Sequence, residues 1–234
     1  MHLGSLDMTD KRFALIVGAG HGLSASLARK ARAEGLTPLL AARDTAKLAG
    51  LLDDVSGHAQ TCDSTDPASV AALFDWVRGE FGTPELVVYN PSARARGAVE
   101  TLDPDAVKNV LMVTAYGGFL VAQAAVKDML PRGSGSILFT GASASVKGYA
   151  NSSSFAMGKF GLRGLAQSLA REVSPKGIHI GHFVIDGGIG ESDDPENPNK
   201  LHPDHIAETY FHIHNQPRSA WTWEVELRPF IETF

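Results

Sequence analysis

At 234 residues, 44% hydrophobic and 20% charged, the chain can bury one sizeable core, and a single domain over 11–234 is the expectation. A net charge of −5, with no cluster of Lys and Arg, excludes a nucleic-acid surface and leaves a small molecule as the expected partner. The lone Cys62 rules out an internal disulfide; no apolar run reaches membrane-spanning length, so a cytoplasmic protein with no membrane partner is expected.

Residues 1–10 are polar and aperiodic and read as a disordered or vector-derived leader. Phe13–Val17 is a short apolar run that breaks into Gly18, Gly20 and Gly22 before Leu23, Leu27 and Ala31 resume at helical spacing. Strand, glycine turn and helix in that order suit an anion, because glycines let the backbone approach closely and the opening amides of the helix point at it. Gly18, Gly20, His21, Gly22 and Leu23 are the loop residues expected to meet it, although Ser24 stands where a dinucleotide loop usually has its last glycine. Without a ligand the same pattern is a tight strand-to-helix turn.

Gly35 ends the first helix, Thr37–Arg43 is a second strand, and Asp44 caps a helix reaching about Asp54. His58–Cys62 is a third strand, followed by Asp66-Pro67 opening a helix with Val70, Leu73, Phe74, Val77 and Phe81 on one face. Glu85–Tyr89 is a fourth strand. Asp103-Pro104 opens a helix reaching Leu130, apolar nearly all round, which predicts burial on two sides. Ser136–Thr140 is a fifth strand, Ser154–Glu172 a helix and Ile178–Ile185 a sixth strand. Glu191–Asn199 reads as an acidic loop, His202-Pro203 opens a helix to about Asn215, and Trp221–Leu227 alternates as a seventh, edge-proximal strand. Continuously apolar strands alternating with helices predict an α/β fold: a doubly wound, Rossmann-like parallel sheet of about seven strands with helices on both faces. Its ligand belongs outside the carboxyl ends of the strands.

About 20 residues beyond the glycine loop, where an acid would accept ribose hydroxyls, stand Ala42 and Arg43. A guanidinium without an acid suits a 2′-phosphate, so NADP is expected over NAD, with His21 assisting; the other reading of Arg43 is a solvated charge. Asp63, after the third strand, is either an acceptor for an adenine amine or a helix-entry cap. His202, His205, His212 and His214 lack metal-ligand spacing and read as surface or subunit contacts; no metal is expected.

The glycine loop, Asp63, Asn90 after the fourth strand, Ser136–Ser145, and Lys159 with Phe-Gly-Leu after it resemble the short-chain dehydrogenase/reductase family. The resemblance implies hydride transfer between a nicotinamide and a carbonyl or alcohol, aided by an asparagine, a serine and a Tyr-x-x-x-Lys pair. It makes Asn90, Lys159, Gly187 and Ile189 cofactor contacts, with Lys159 on the nicotinamide ribose, and implies a homo-oligomer, a dimer or tetramer, paired through two helices. The chain departs from this pattern at the chemistry. Phe155 stands at the tyrosine, Thr114 at the asparagine, and the serine is absent or shifted to Ser143. Asp186-Gly187 replaces Pro-Gly, and Glu191 falls near a threonine that usually bonds the carboxamide. A positioned general acid is worth about 10²- to 10⁴-fold, roughly 3 to 5 kcal/mol, so an unreplaced Phe155 predicts poor carbonyl reduction. Ser143, Tyr149, Ser154 and Tyr116 are the hydroxyls that could substitute, although helical spacing does not put Tyr149 on the face of Phe155. Two readings follow: an NADP-dependent oxidoreductase with a displaced or absent proton donor, or a regulatory homologue that kept the nucleotide site and lost turnover.

Overall fold

The computed structural model describes residues 12–192 and 199–232. The leader at 1–10 and most of the acidic loop expected over Glu191–Asn199 lie outside them.

A seven-stranded sheet runs β1 (Arg12–Val17), β2 (Leu36–Ala42), β3 (His58–Thr61), β4 (Leu86–Tyr89), β5 (Gly135–Thr140), β6 (Ile178–Ile185) and β9 (Glu224–Leu227), in the spatial order β3-β2-β1-β4-β5-β6-β9. Every neighbouring pair is parallel. Alternate residues of each strand feed opposite faces, Leu15 and Val17 one core and Ala14 and Ile16 the other. On the first face lie α3 (Pro67–Glu80), α5 (Gly117–Met129) and α6 (Ser153–Val173); on the second, α1 (Leu23–Ala33), α2 (Ala49–Val55) and α7 (Pro203–His214). The doubly wound expectation is borne out. The chain runs outward from β1 through β2 to β3, then returns to β4 on the other side of β1, so the switch point opens between β1 and β4.

Three expectations need correction. The stretch from Pro104 to Met129 is one helical path long and apolar enough, by composition, to cross a membrane, against the expectation that no run is. It is interrupted: α4 (Pro104–Leu111) passes into a π turn at Met112–Tyr116 before α5 begins. Nor is it buried on two sides. Leu120, Val121, Ala125 and Met129 enter the core, whereas Tyr116 and Phe119 are exposed. Finally, His214 is not a surface group: its ring is buried, with Nδ1 2.9 Å from Ser136 Oγ and Nε2 3.5 Å from Glu85. A short pair the sequence did not announce, β7 (Gly188–Ile189) with β8 (Lys200–Leu201), flanks the end of β6.

The π turn has a specific cause. The Tyr89 hydroxyl, at the end of β4, donates to the Val113 carbonyl, drawing one turn of helix onto the strand. Gly117 permits the approach, since a Cβ there would strike that hydroxyl and lie 2.8 Å from the Ser64 carbonyl oxygen. Gly117→Ala is therefore expected to lower stability by about 1–3 kcal/mol, read as a reduced urea midpoint with an unchanged m value. An unaltered midpoint would show that the turn moves aside without cost.

Candidate active site

The C-terminal ends of β1, β2, β3 and β4 enclose a cavity of about 370 Å³ lined by Gly18, Arg43, Lys47, Asp63 and Asn90 among others. A second, of about 570 Å³, opens over the ends of β5 and β6 and is lined by Ser143, Tyr149, Phe155, Lys159, Gly187 and Ile189 among others. Asn90 and Ser92 line both, so the two form one groove across the switch point.

At the loop, Gly18 has φ +83°, and a Cβ there would lie 2.7 Å from Pro91. Only glycine suits that position. Cβ atoms at Gly20 and Gly22 would meet nothing within 4 Å, so the loop's outer edge is open to an incoming group. The N-cap of α1, Gly22, has no side chain to offer the first turn of amides. Ser24 is structural: its hydroxyl donates to the Gly18 carbonyl at 3.0 Å and accepts from the Asn90 amide at 2.7 Å. Leu23 buries its side chain beneath the loop, and His21 is exposed and lines neither cavity.

Arg43 and Lys47 are exposed at the rim of the first cavity. One carboxylate oxygen of Asp63 accepts from the Thr65 amide at 2.9 Å and the Thr65 hydroxyl at 2.8 Å, bonds that hold the carboxyl below its usual range. These are turn contacts, and the carboxylate still lines the cavity.

In the second cavity Lys159 reaches from α6 to the end of β5, where its ammonium donates to the Thr140 carbonyl at 2.7 Å. It is only 2% exposed. Burial, with Arg94 nearby, pushes its pKa down to about 7. One helical turn before it, Phe155 is 7% exposed and sits with its ring centroid 5.8 Å from Lys159 Nζ. Ser143 and Tyr149 line the same cavity, so the structure brings Tyr149 near Phe155 from the loop before α6, a proximity helical spacing did not give. Ser154 and Tyr116 do not join them. The Ser154 hydroxyl is spent on Ala95, donating to its carbonyl at 2.6 Å and accepting its amide at 3.3 Å, and Tyr116 stacks on Phe119. Thr114 lies fully buried within the π turn, its Oγ1 without a hydrogen-bond partner among the described residues, and packs toward Gly158 rather than lining the groove. Gly187 and Ile189 close the groove beyond Asp186, which Arg228 and Lys147 hold at 3.3 and 3.6 Å.

Reading by motif passed over Arg94 and Arg96, which line the second cavity from the loop after β4. The signal was present: they follow a predicted strand at its carboxyl end, where the ligand of a doubly wound sheet belongs. Among the described residues no metal-binding cluster of His, Cys, Asp and Glu occurs.

Over residues 12–190 the chain matches the profile described as short chain dehydrogenase. It is 26% identical over 184 residues to a 3-oxoacyl-acyl-carrier-protein reductase of Salmonella typhimurium, covering 78% of this chain and 75% of that protein. An uncharacterized oxidoreductase of Staphylococcus aureus is 25% identical, with 95% of this chain and 98% of that protein covered. The structure is similar to that of a short-chain dehydrogenase from Rhodopseudomonas palustris, with a TM-score of 0.83, 32% identity, and 94% and 99% of the two chains covered. A metagenomic short-chain oxidoreductase solved in complex with NADP shares the fold, with a TM-score of 0.82 at 24% identity over 94% of this chain and 98% of that one.

Burying an ammonium costs stability, so Lys159→Met is expected to stabilise the cofactor-free protein by on the order of 1 kcal/mol or more and so to raise its melting temperature. The wild-type penalty is full below about pH 7, where the folded lysine still holds its proton. It shrinks as pH rises from there toward the ordinary lysine value of 10.5, because the folded form sheds the proton first. The stability gap between variant and wild type should narrow over that window in paired thermal melts; a gap independent of pH would refute the shifted titration.

Proposed function

The chain belongs to the short-chain dehydrogenase family, and from that premise we propose that it transfers a hydride between NADP(H) and the carbonyl or alcohol carbon of a small molecule, with a displaced proton donor. It is a nicotinamide-dependent oxidoreductase. The observation that carries the fuller reading is Lys159, buried at the floor of a cavity that also presents Ser143 and Tyr149, at one end of a groove whose other end is an open glycine loop.

The residues present fit a dinucleotide. Gly20 and Gly22 leave the space a pyrophosphate needs, and the uncapped first turn of α1 offers its amides there. Arg43 and Lys47 suit the extra phosphate of NADP, while the neighbouring Asp44 turns its carboxylate onto the Ala46 amide. Lys159, Gly187 and Ile189 would hold the nicotinamide half, which when bound supplies or accepts the hydride, with Asn90 lining the groove between the two ends. The chain's own residues do the remaining work. The Lys159 ammonium, fixed on the Thr140 carbonyl, is placed to donate to ribose hydroxyls. Ser143 donates a hydrogen bond to the substrate oxygen, an interaction that strengthens as charge develops there. Tyr149, a phenol lining the same cavity, delivers the proton that position 155 does not. A small-molecule substrate, a cytoplasmic setting and an oligomer paired through the exposed Tyr116 and Phe119 complete the proposal.

A second reading has one observation in its favour. Phe155 places a ring where the family's proton donor would stand, so the site could bind nucleotide without turnover. Titration with NADPH followed by a carbonyl panel separates the two. Tight binding with no oxidation of cofactor by any carbonyl favours the second reading, and no binding of either dinucleotide overturns both.

Two variants test the assignments. Phe155→Tyr restores a hydroxyl at the family position and should raise kcat by roughly 10²-fold in a Tyr149→Phe background, where no other phenol serves the cavity. Arg43→Gln should reduce the preference for NADPH over NADH by roughly 10- to 100-fold, the worth of a charge-assisted contact to phosphate. Equal loss for both cofactors would instead make Arg43 a solvated or structural charge.

A further inference from the structure

The cavity beyond Phe155 carries a feature that hydride transfer alone does not require. Arg94 and Arg96 both line it, on the loop after β4. They also line an adjoining recess of about 370 Å³ with Ser143, Tyr149, Asn151 and Ser152. Arg12, Arg29, Arg78, Arg132, Arg163 and Arg228 each pair with a carboxylate. Among the described residues no carboxylate pairs with Arg94 or Arg96. The two charges oppose each other: burial and then Arg96 lower the pKa of Arg94. A protein of net charge −5 thus gathers two like charges beside its reaction cavity.

The pair is held there. Ala95, between the two arginines, has both its backbone groups bonded to the buried Ser154 hydroxyl at the start of α6, and Gly97 donates to the Asn151 carbonyl at 3.1 Å. Arg94 lies with its guanidinium carbon 4.3 Å from the centroid of the Phe155 ring, a cation–π contact that seats it over the residue where a tyrosine is missing. Positioning like charges together at a cavity mouth is unfavourable until an anion neutralises them. The cofactor's phosphates are not that anion, because the glycine loop lies in the other cavity, which contains neither arginine. Glu232 and Asp186 also line the second cavity, and Asp186 is already engaged by Lys147 and Arg228.

We propose that Arg94 and Arg96 form an anion subsite, so that the substrate is a carbonyl or alcohol compound carrying a carboxylate or a phosphate close to the reacting carbon. The inference rests on the hydride-transfer reading above for the identity of the reacting carbon, and on the arginine pair alone for the anion. Arg94, over Phe155, reaches nearest to Lys159, and Arg96 extends the site outward into the recess. Guanidinium groups bind either oxyanion through paired N–H donors, so carboxylate and phosphate share the chemistry.

The test uses NADPH-loaded protein and matched carbonyl pairs: 4-carboxybenzaldehyde against its methyl ester, and dihydroxyacetone phosphate against dihydroxyacetone. The charged member should show at least a 10-fold higher kcat/KM, and whichever pair shows it identifies the oxyanion. In Arg94→Gln and Arg96→Gln that ratio should fall toward one, chiefly through KM, while Arg94→Lys should keep part of it. A ratio near one in the wild type, or one that the variants leave unchanged, overturns the subsite and leaves hydride transfer standing. If no carbonyl is reduced, binding decides: protection of the NADP-loaded protein against thermal unfolding by succinate or inorganic phosphate, lost in both Gln variants, upholds the subsite against a failed redox reading. Absence of such protection overturns it.

Discussion

An ammonium group buried against the Thr140 carbonyl is the constraint around which this site is arranged. Lys159 is 2% exposed, and an isolated charge in that position is unfavourable by any accounting of desolvation. The fold accepts the cost because α6 must pass close to the end of β5 for the amine to reach the groove. That approach depends on small residues. At Gly158 a Cβ would lie 3.0 Å from Thr114 of the π turn, and at Gly118 one would strike Leu162 at 2.6 Å. The helices on this face close over the sheet because their contacts lack side chains, and the lysine comes to rest beneath them with a titration moved toward neutrality.

The opposite end of the groove is built by a different economy. Ser24, in place of the last loop glycine, joins the Gly18 carbonyl to the Asn90 amide and so ties the loop after β1 to the loop after β4 across the switch point. Asn90 therefore spends its amide within the protein, and it contributes to the cofactor cavity as a wall. With the Asn90 backbone amide also donating to Val17 at 3.0 Å, the phosphate end of the groove is formed before any ligand arrives. A preformed end lowers the ordering cost of binding.

Much of this was legible from residues alone because parallel strands buried on both faces leave a continuous apolar signal, and because Gly18, Asp66-Pro67 and Asp103-Pro104 are punctuation with local causes. The glycine loop was legible for the same reason, and Lys159 through its resemblance to the lysine of the family's Tyr-x-x-x-Lys pair. The π turn was not, since it is imposed by a tyrosine hydroxyl from another strand, and periodicity within Pro104–Met129 carries no trace of it. His214 was misread because its partners, Ser136 and Glu85, come from β5 and the segment before β4. Arg94 and Arg96 sit in an aperiodic loop whose shape is set by Ser154, some sixty residues on, and only their place after the fourth strand marks them in the sequence.

Phe155 then takes on a different meaning from a simple deletion. Replacing a phenol by a phenyl ring at this point removes a proton donor and a hydrogen-bonding partner for the nearby amine. The ring that remains is a seat for a guanidinium, at 4.3 Å, with the lysine ammonium on the same ring at 5.8 Å. Two cations converge on one aromatic ring, and the attraction of its π faces for positive charge partly offsets their mutual repulsion. The cavity has exchanged a neutral acid at its centre for positive charge at its centre. An anion placed there meets the guanidinium of Arg94 and the amine of Lys159 on one side of the cavity. The electrostatics of the cavity are therefore set by the ring at position 155 as much as by the charges themselves.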